Sequence, residues 1–512
     1  MSTLLRKGVL IPAQGVDWSL PSTFIPDQSG FSKNVRFLRN EMVKRPGKTV
    51  YGDAITGGQI MGLSKLELNT GTKILVRNSK TKMQRYNTST AAWQNLLTTD
   101  FNGGDDDYFS YTNVTESGLL ILTNGKEAIR KYDGAGPAIS LGGNPPKAKF
   151  VAYLSPYLLL GHVDDGVINS PWKIQWSDTG DPQIWNSGNA GSLLLSDEPS
   201  PIKNMMKLNN YMAVYKEESL WLLQKVSTFD IFIPVCIKTG MGLASSRCLV
   251  EAEGQHYFMG VNDFYVWNGG NPESFGRAVR DELFNRINRN KIDRCFGLHI
   301  HSLKEIWFFI VISGESWPTE IWKYSYLNGY WYFDTCSSLT SAILWEKTAV
   351  VTWDDMVGTW DATAGNWDAR SSSLEWEQIV FGDSNGNTSV LDYSTTDDLT
   401  VPVESIFESK DFTGDQLEFN KRWLQIDIWA KGSQDAKLTV DFSTNYGVTW
   451  QNVQYKSTSI PIILTPYYQK YSLYFDTTSD VIRFRFKNSE SNEVFYIRNF
   501  YPYYKVQEQI FQ

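Results

Sequence analysis

The sequence predicts an all-β protein: a β-propeller of six or seven blades, some of them irregular, followed by a C-terminal β-sandwich. Apolar segments are short, rich in Val, Ile, Tyr, Trp and Phe, and bounded by Gly, Asn, Asp and Ser, which is typical of strands and hairpins. Paired segments of this kind recur at steps near the roughly 40–50 residues of one four-stranded blade. After residue 400 the repeat stops and a different strand rhythm begins.

The repeat is defined by seven apolar segments, each expected to be the innermost strand of a blade. They start at residues 73, 118, 157, 211, 256, 305 and 378, which gives steps of 45, 39, 54, 45, 49 and 73 residues. The last step contains Trp353-Asp354, Trp360-Asp361 and Trp367-Asp368, and these tryptophans fit blade-core packing better than stacking on a sugar or a partner protein. A set of stacked sandwiches is the alternative architecture.

Three regions follow from this pattern. Residues 1–49 have apolar positions too sparse for a core and are expected to form an extended arm. Residues 50–400 are expected to form the propeller, with a helical insertion near 274–296, where apolar residues from Val279 to Ile287 follow a period of 3.6. Residues 401–512 are expected to form the sandwich, and Pro402 marks the boundary.

Composition excludes several functions. The chain has 512 residues, with 48 Lys and Arg against 56 Asp and Glu, for a formal charge of -8. This charge does not favour a surface that grips nucleic acid. With 4 His and 4 Cys, and no nucleotide-binding, nucleophile or metal-ligand motif, we expect no enzyme activity, no catalytic residue, no cofactor and no metal site. No apolar run reaches the roughly 20 residues of a membrane span, so we expect no membrane-spanning segment.

One motif points to a sialidase-like protein, which is the third functional alternative. The segment from Ser443 to Trp450 resembles an Asp-box, with Asn445 in the Asp position. That motif is a structural hairpin turn, and it occurs here once, outside the predicted propeller. Glycoside hydrolysis needs two carboxylates about 5–10 Å apart across a cleft, and no pair in the sequence predicts that arrangement.

A string of short signatures resembles the tail nozzle, or hub, proteins of short-tailed bacteriophages, which are similar to tail tubular protein B. The first runs from Asn34 to Gly47 and ends in Arg45, Pro46 and Gly47. The second contains Trp176, Ser177 and Asp178, and the third ends in Trp267, Asn268 and Gly269. The signatures follow in the same order as in that family and cover roughly residues 30 to 400.

The resemblance implies a non-enzymatic virion protein of the phage tail, assembled in the host cytoplasm. It implies a homo-oligomer, usually a hexameric ring, that binds the portal–adaptor ring, supports tail fibres or spikes, and retains packaged double-stranded DNA until ejection. An acidic wall would let DNA pass without binding. Acidic turns are the candidate channel-lining positions: Asp105, Asp106, Asp107, Asp164 and Asp165. The competing interpretation is a receptor- or glycan-binding β-propeller protein.

Overall fold

Seven four-stranded antiparallel sheets follow one another around a closed ring in the part of the chain that the structure describes. The structure is a computed structural model and describes residues 5–6, 9–10, 15–23, 30–38, 41–56, 58–226, 231–346, 377–414, 419–453 and 461–507. An apolar cluster fills each interface between neighbouring sheets, and the one between the last and the first sheet closes the ring. The fold is therefore a β-propeller, as the sequence predicted.

The blades are numbered in chain order. Blade 1 consists of Ile60–Glu67, Lys73–Ser79, Met83–Asn87 and Ala92–Asn95; blade 2 of Ser110–Val114, Leu119–Thr123, Arg130–Tyr132 and Ile139–Ser140. Blade 3 consists of Lys147–Leu154, Tyr157–Asp164, Asn169–Trp176 and Gly191–Leu194; blade 4 of Ile202–Leu208, Tyr211–Lys216, Ser219–Lys225 and Phe232–Thr239. Blade 5 consists of Leu249–Ala252, Gln255–Met259, Phe264–Trp267 and Glu273–Ser274; blade 6 of Phe296–Ile300, Glu305–Ile310, Glu320–Ser325 and Tyr330–Thr335.

Blade 7 is built from both ends of the propeller sequence. Its first three strands are Leu339–Glu346, Glu377–Asp383 and Thr388–Asp392, and its fourth is Gly47–Val50, which pairs antiparallel with Thr388–Asp392. Two short strands, Asp397–Asp398 and Val401–Pro402, extend this sheet outward. The ring is thus closed by strand pairing between segments more than 300 residues apart.

The seven segments predicted to be innermost are the second strands of their blades, so that part of the prediction is wrong. Neighbouring blades approach each other through their first strands, which places those strands at the axis. The sequence does not predict the first strands as innermost, because polar residues interrupt them, as in Ser110–Val114 and Ile202–Leu208. Their apolar contrast with the flanking turns is correspondingly weak.

A two-layer sandwich lies against blades 6 and 7. Its first sheet contains Val35–Leu38, Glu41–Lys44, Phe495–Val506, Lys421–Gly432 and Gln469–Ser479, with Leu5–Arg6 and Val9–Leu10 paired to Phe495–Val506. Its second sheet contains Phe31–Lys33, Ser405–Glu408, Arg483–Asn488, Lys437–Ser443 and Gln451–Asn452, with Ile462–Ile463 paired to Lys437–Ser443. The second sheet is continuous with blade 6, because Phe31–Lys33 also pairs with Tyr330–Thr335.

Two expectations about elements differ from the structure. The described part of residues 1–49 is not an extended arm: it supplies strands to the sandwich and the last strand of the propeller. Alternation explains this, since Val35 and Phe37 point into the sandwich core with Met42. The helix between blades 5 and 6 is present but shorter than 274–296: an α-helix at Arg280–Arg286 is followed by a 3₁₀ segment at Arg289–Arg294.

Candidate functional site: an acidic face of the propeller

The topology of the blades places the predicted acidic turns on one face of the propeller. Because the four strands of a blade alternate in direction, the hairpin between its second and third strands lies on the same face as its connection to the next blade. Asp164 and Asp165 lie at such a hairpin in blade 3, and Asp105–Asp107 lie in the connection from blade 1 to blade 2. All five predicted residues therefore lie on the same face of the propeller, but they form two separate groups.

Asp164 and Asp165 are part of a larger unpaired acidic surface. Glu217 and Glu218 form the equivalent hairpin of blade 4, and Asp197 lies in the connection between blades 3 and 4. Asp165, Asp197, Glu217 and Glu218 are exposed, and none of these five carboxylates forms an ion pair with another described residue. We call these five residues the acidic face.

Backbone and side-chain hydrogen bonds hold this surface in place. Glu217 N donates to Pro201 O at 3.1 Å, and Glu218 N donates to Ser200 Oγ at 3.3 Å, so the connection packs on the hairpin. In the turn of blade 3, Val167 N and Ile168 N donate to Asp165 Oδ1 at 3.0 and 2.8 Å. These backbone donors lower the pKa of Asp165, which keeps the carboxylate charged.

Glu198 anchors the connection from beneath. Its carboxylate lies 3.1 Å from the ammonium of Lys216, a fully buried residue, and accepts from Ser219 Oγ at 2.8 Å. Partial burial opposes ionisation, but the hydrogen bonds from Ser200, Ser219 and Lys216 lower the pKa of Glu198 to about 2. The negative charge in this connection is therefore fixed over the whole physiological range.

The acids at Asp105–Asp107 are instead paired with cations. Asp105 contacts the ammonium of Lys80, Asp107 lies 3.8 Å from Lys126 Nζ, and Asp106 accepts from Arg294 Nε at 2.7 Å. Hydrogen bonding and charge from Arg294 outweigh desolvation and lower the pKa of Asp106. These three residues contribute little uncompensated negative charge to the face.

The contact between Asp106 and Arg294 crosses the centre of the ring. Arg294 precedes the first strand of blade 6, whereas Asp106 precedes the first strand of blade 2, on the opposite side of the axis. Beside them the Arg247 guanidinium stacks on the Tyr108 ring at 3.5 Å and donates to Thr340 O at 2.6 Å. These contacts link blades on opposite sides of the axis on this face of the propeller.

The signature Arg45-Pro46-Gly47 joins the propeller to the sandwich. The Arg45 guanidinium donates to both carboxylate oxygens of Asp398 at 2.9 and 2.7 Å and to Asn34 Oδ1 at 2.9 Å. A Cβ at Gly47 would lie 2.1 Å from Asp397 O, so only glycine permits the closing strand to pass this close. The signature holds ring closure in place.

The other two signatures hold turns. Trp176 Nε1 donates to Asn189 O at 2.9 Å, Leu158 N donates to Ser177 Oγ at 3.1 Å, and Asn189 N donates to Asp178 Oδ1 at 2.6 Å, which folds the loop of blade 3 back on its strand. In blade 5, Trp267 Nε1 donates to Gly270 O at 2.7 Å, and Gly270 N donates to Asn268 Oδ1 at 3.2 Å. Gly269 has a φ of 103°, which favours glycine at that turn.

The Asp-box-like segment is the structural turn that the sequence predicted. Asn445 Oδ1 accepts from Thr449 N at 2.9 Å, and Gly447 N donates to Ser443 Oγ at 3.0 Å. The Arg485 guanidinium lies over the Trp450 ring, 4.2 Å from the centroid of that ring. The tryptophans Trp353, Trp360 and Trp367 lie outside the described residues.

Within the described residues, no group of three or more His, Cys, Asp or Glu side chains is placed to hold a metal ion. Over the same residues, no helix has both the length and the apolar character required to span a membrane.

Sequence reasoning missed Asp197, Glu217 and Glu218. Each lies in a turn between apolar segments, the same signal that singled out Asp164 and Asp165. Their proximity to one another follows from the blade topology, which places hairpin and connection on one face.

No family model matches the chain, and no curated protein matches it in sequence. Among solved structures, the crystal structure of BamB from Moraxella catarrhalis aligns with 76% of this chain and 97% of that chain, at 10% identity and a TM-score of 0.36.

Proposed function

We propose that the chain is a structural subunit of a short phage tail, a nozzle or hub that extends the DNA channel below the portal and adaptor. In this proposal several copies, six by the family resemblance, form a ring in the virion that retains packaged DNA and supports fibres or spikes. The subunit carries out no catalysis.

The observation that carries the proposal is where the signature residues lie in the structure and what they contact. Arg45 and Gly47 fix ring closure and the joint to the sandwich, while Trp176 and Trp267 fix turns of blades 3 and 5. Signatures of this kind stabilise a fold and supply no catalytic group. Their order along the chain supports a subunit built like those of the nozzle family.

The electrostatics support a conduit. The five carboxylates of the acidic face form no ion pair with any described residue, and they would repel DNA phosphates at a distance set by ionic strength. Because the contacts of Asp106, Arg294 and Arg247 span the axis of the single propeller, we place the proposed channel at the axis of the ring of subunits. The acidic face is the candidate lining of that channel.

Assembly is the first test. We expect the purified full-length chain to form closed rings by negative-stain microscopy and by mass photometry, alone or with the adaptor of the same virion. A chain that stays monomeric at micromolar concentration and binds no adaptor ring would contradict the proposal.

Charge reversal on the acidic face tests the channel. We expect particles carrying Asp165→Lys, Asp197→Lys and Glu217→Lys to assemble but to release DNA more slowly, because the lining would then attract phosphates. Asp133→Lys is the matched control, since Asp133 is exposed in a turn on the opposite face of blade 2. Equal release rates for the triple variant and the control would contradict an acidic lining.

A receptor- or glycan-binding protein is the second candidate, and the outer face of the sandwich favours it. Trp429 and Tyr474 are 40% and 55% exposed on neighbouring strands, and Tyr467 is 65% exposed nearby. Exposed aromatic rings are common platforms for ligands with an apolar face. Glycan binding by a monomeric chain, lost in Trp429→Ala, would favour this candidate over the first.

A further inference from the structure

The junction between blades 6 and 7 and the sandwich encloses a small cavity with an excess of positive charge. The cavity measures about 10 Å³, which leaves room for a single small occupant such as a water molecule or a monoatomic ion. Four cationic side chains line it together with one carboxylate: Arg36, Arg45, Lys48, Lys323 and Asp334. All five are buried.

Three of the four cations have carboxylate partners. Lys323 contacts Asp334, and Lys323 and Asp334 are each almost fully buried. Asp398 lies 2.7 Å from Arg45 Nη2 and 3.3 Å from Lys48 Nζ. These contacts account for Arg45, Lys48 and Lys323.

Arg36 is the exception. Strand alternation turns it away from Val35 and Phe37, which enter the sandwich core, and toward the propeller. It is 4% exposed, yet its guanidinium forms no hydrogen bond or ion pair with any residue that the structure describes. Its ring contact with Tyr393, at 5.5 Å, is a long cation–π interaction that leaves the five N–H donors unused.

The charge count around the cavity gives the same result. One further carboxylate is buried nearby, that of Glu305, which accepts from Trp307 Nε1 at 2.8 Å and from Tyr332. Among the residues that the structure describes, four cations against the three carboxylates Asp334, Asp398 and Glu305 leave one excess positive charge. Burial opposes the charge of Arg36, while Tyr393, Tyr332 and the carboxylates Glu305 and Asp334 raise its pKa, so Arg36 stays charged. The excess charge of the group is nevertheless buried, which is unfavourable.

We propose that this cavity binds a single monoatomic anion of the size of chloride, held by the Arg36 guanidinium. An anion supplies both a hydrogen-bond acceptor and the missing negative charge, whereas a water molecule supplies only the acceptor. The volume excludes sulfate, phosphate and carboxylate ligands. The anion would stabilise the joint that closes the propeller onto the sandwich.

Thermal unfolding of the full-length chain tests the site. At constant ionic strength, replacing gluconate by chloride from about 10 to 300 mM is expected to raise the unfolding midpoint by about 1–3 °C. Arg36→Met is expected to abolish that rise, and Arg36→Lys to retain part of it. Arg422→Met is the control, because Arg422 is an exposed arginine of the same sandwich, paired with Asp476; it is expected to leave the rise unchanged.

Diffraction from bromide-grown crystals identifies the occupant without any variant. We expect an anomalous bromide peak within hydrogen-bond distance of the Arg36 guanidinium. A cavity holding water alone in those crystals would overturn the proposal. So would a wild-type unfolding midpoint that is the same in chloride and gluconate.

Discussion

The ion pair between buried Arg45 and the largely buried Asp398 connects several parts of the architecture through one guanidinium. Arg45 donates two hydrogen bonds to Asp398 and one each to Asn34 Oδ1, Pro46 O and Thr335 O, the last two at 2.9 and 3.1 Å. These partners belong to the sandwich edge, to the closing strand and to blade 6. Replacing Arg45 by Met therefore removes contacts that link three parts of the fold.

The magnitude follows from what remains after the substitution. Removing one partner of a buried pair costs about 3–5 kcal/mol, because the other charge stays buried without compensation. Lys48 Nζ, 3.3 Å from Asp398 Oδ2, retains part of that compensation. We therefore expect Arg45→Met to lower the free energy of unfolding by about 3 kcal/mol.

The double variant separates charge from packing. In Arg45→Met with Asp398→Leu both charges are gone, so we expect a smaller loss than the sum of the two single variants, by about 1–3 kcal/mol. Urea unfolding followed by tryptophan fluorescence measures all three. The control is Lys33→Met, which breaks a half-exposed pair with Glu404 at 3.0 Å and should cost at most about 1 kcal/mol. A loss below 1 kcal/mol for Arg45→Met, or strictly additive single variants, would refute the reasoning.

Three further perturbations have defined outcomes. Gly47→Ala should lower the free energy of unfolding by about 1–3 kcal/mol, because the added Cβ would lie 2.1 Å from Asp397 O. Gly270→Ala is the control and should cost less, because the nearest atom to its Cβ would be 3.4 Å away. Urea titration measures both variants. Burial lowers the pKa of His256 to about 4 from 6.5, so a contribution of about 3 kcal/mol is present above pH 6.5 and lost as the pH falls toward 4. Burial also lowers the pKa of His299 to about 4, so an unfolding series from pH 8 to 4 should show a loss from both residues, and His256→Leu should remove only its own part. Asn445→Ala removes the acceptor that closes the Asp-box-like turn and should lower the free energy of unfolding by about 1–2 kcal/mol. Proteolytic cleavage at that turn is a second measurement. A variant that is not cleaved and has unchanged stability would contradict the role of the turn.

Much of the fold could be predicted from the sequence because strand signals are local. The second strands of the seven blades, such as Tyr157–Asp164 and Glu305–Ile310, are continuous apolar segments bounded by turns, and their spacing predicts a propeller. The Asp-box-like turn and the helix near Arg280–Arg286 are also recognisable, because turn motifs and helical periodicity each involve only a few neighbouring residues. These features determined the all-β class and the end of the repeat near residue 400.

Only the tertiary structure decided how distant segments pair. Gly47–Val50 closes blade 7, and Phe31–Lys33 joins blade 6 to the sandwich, although neither segment carries a signal for its partner in its own residues. The same limit applies to the acidic face and to Arg36, since their character depends on which charges lie beside them. The residues of a short polar strand do not specify which strand it pairs with, so it could join any exposed sheet edge. The partner is decided only when the rest of the fold sets the register. The local sequence therefore determined the elements, and long-range pairing determined the ring, the shared sheet and the buried charge at their junction.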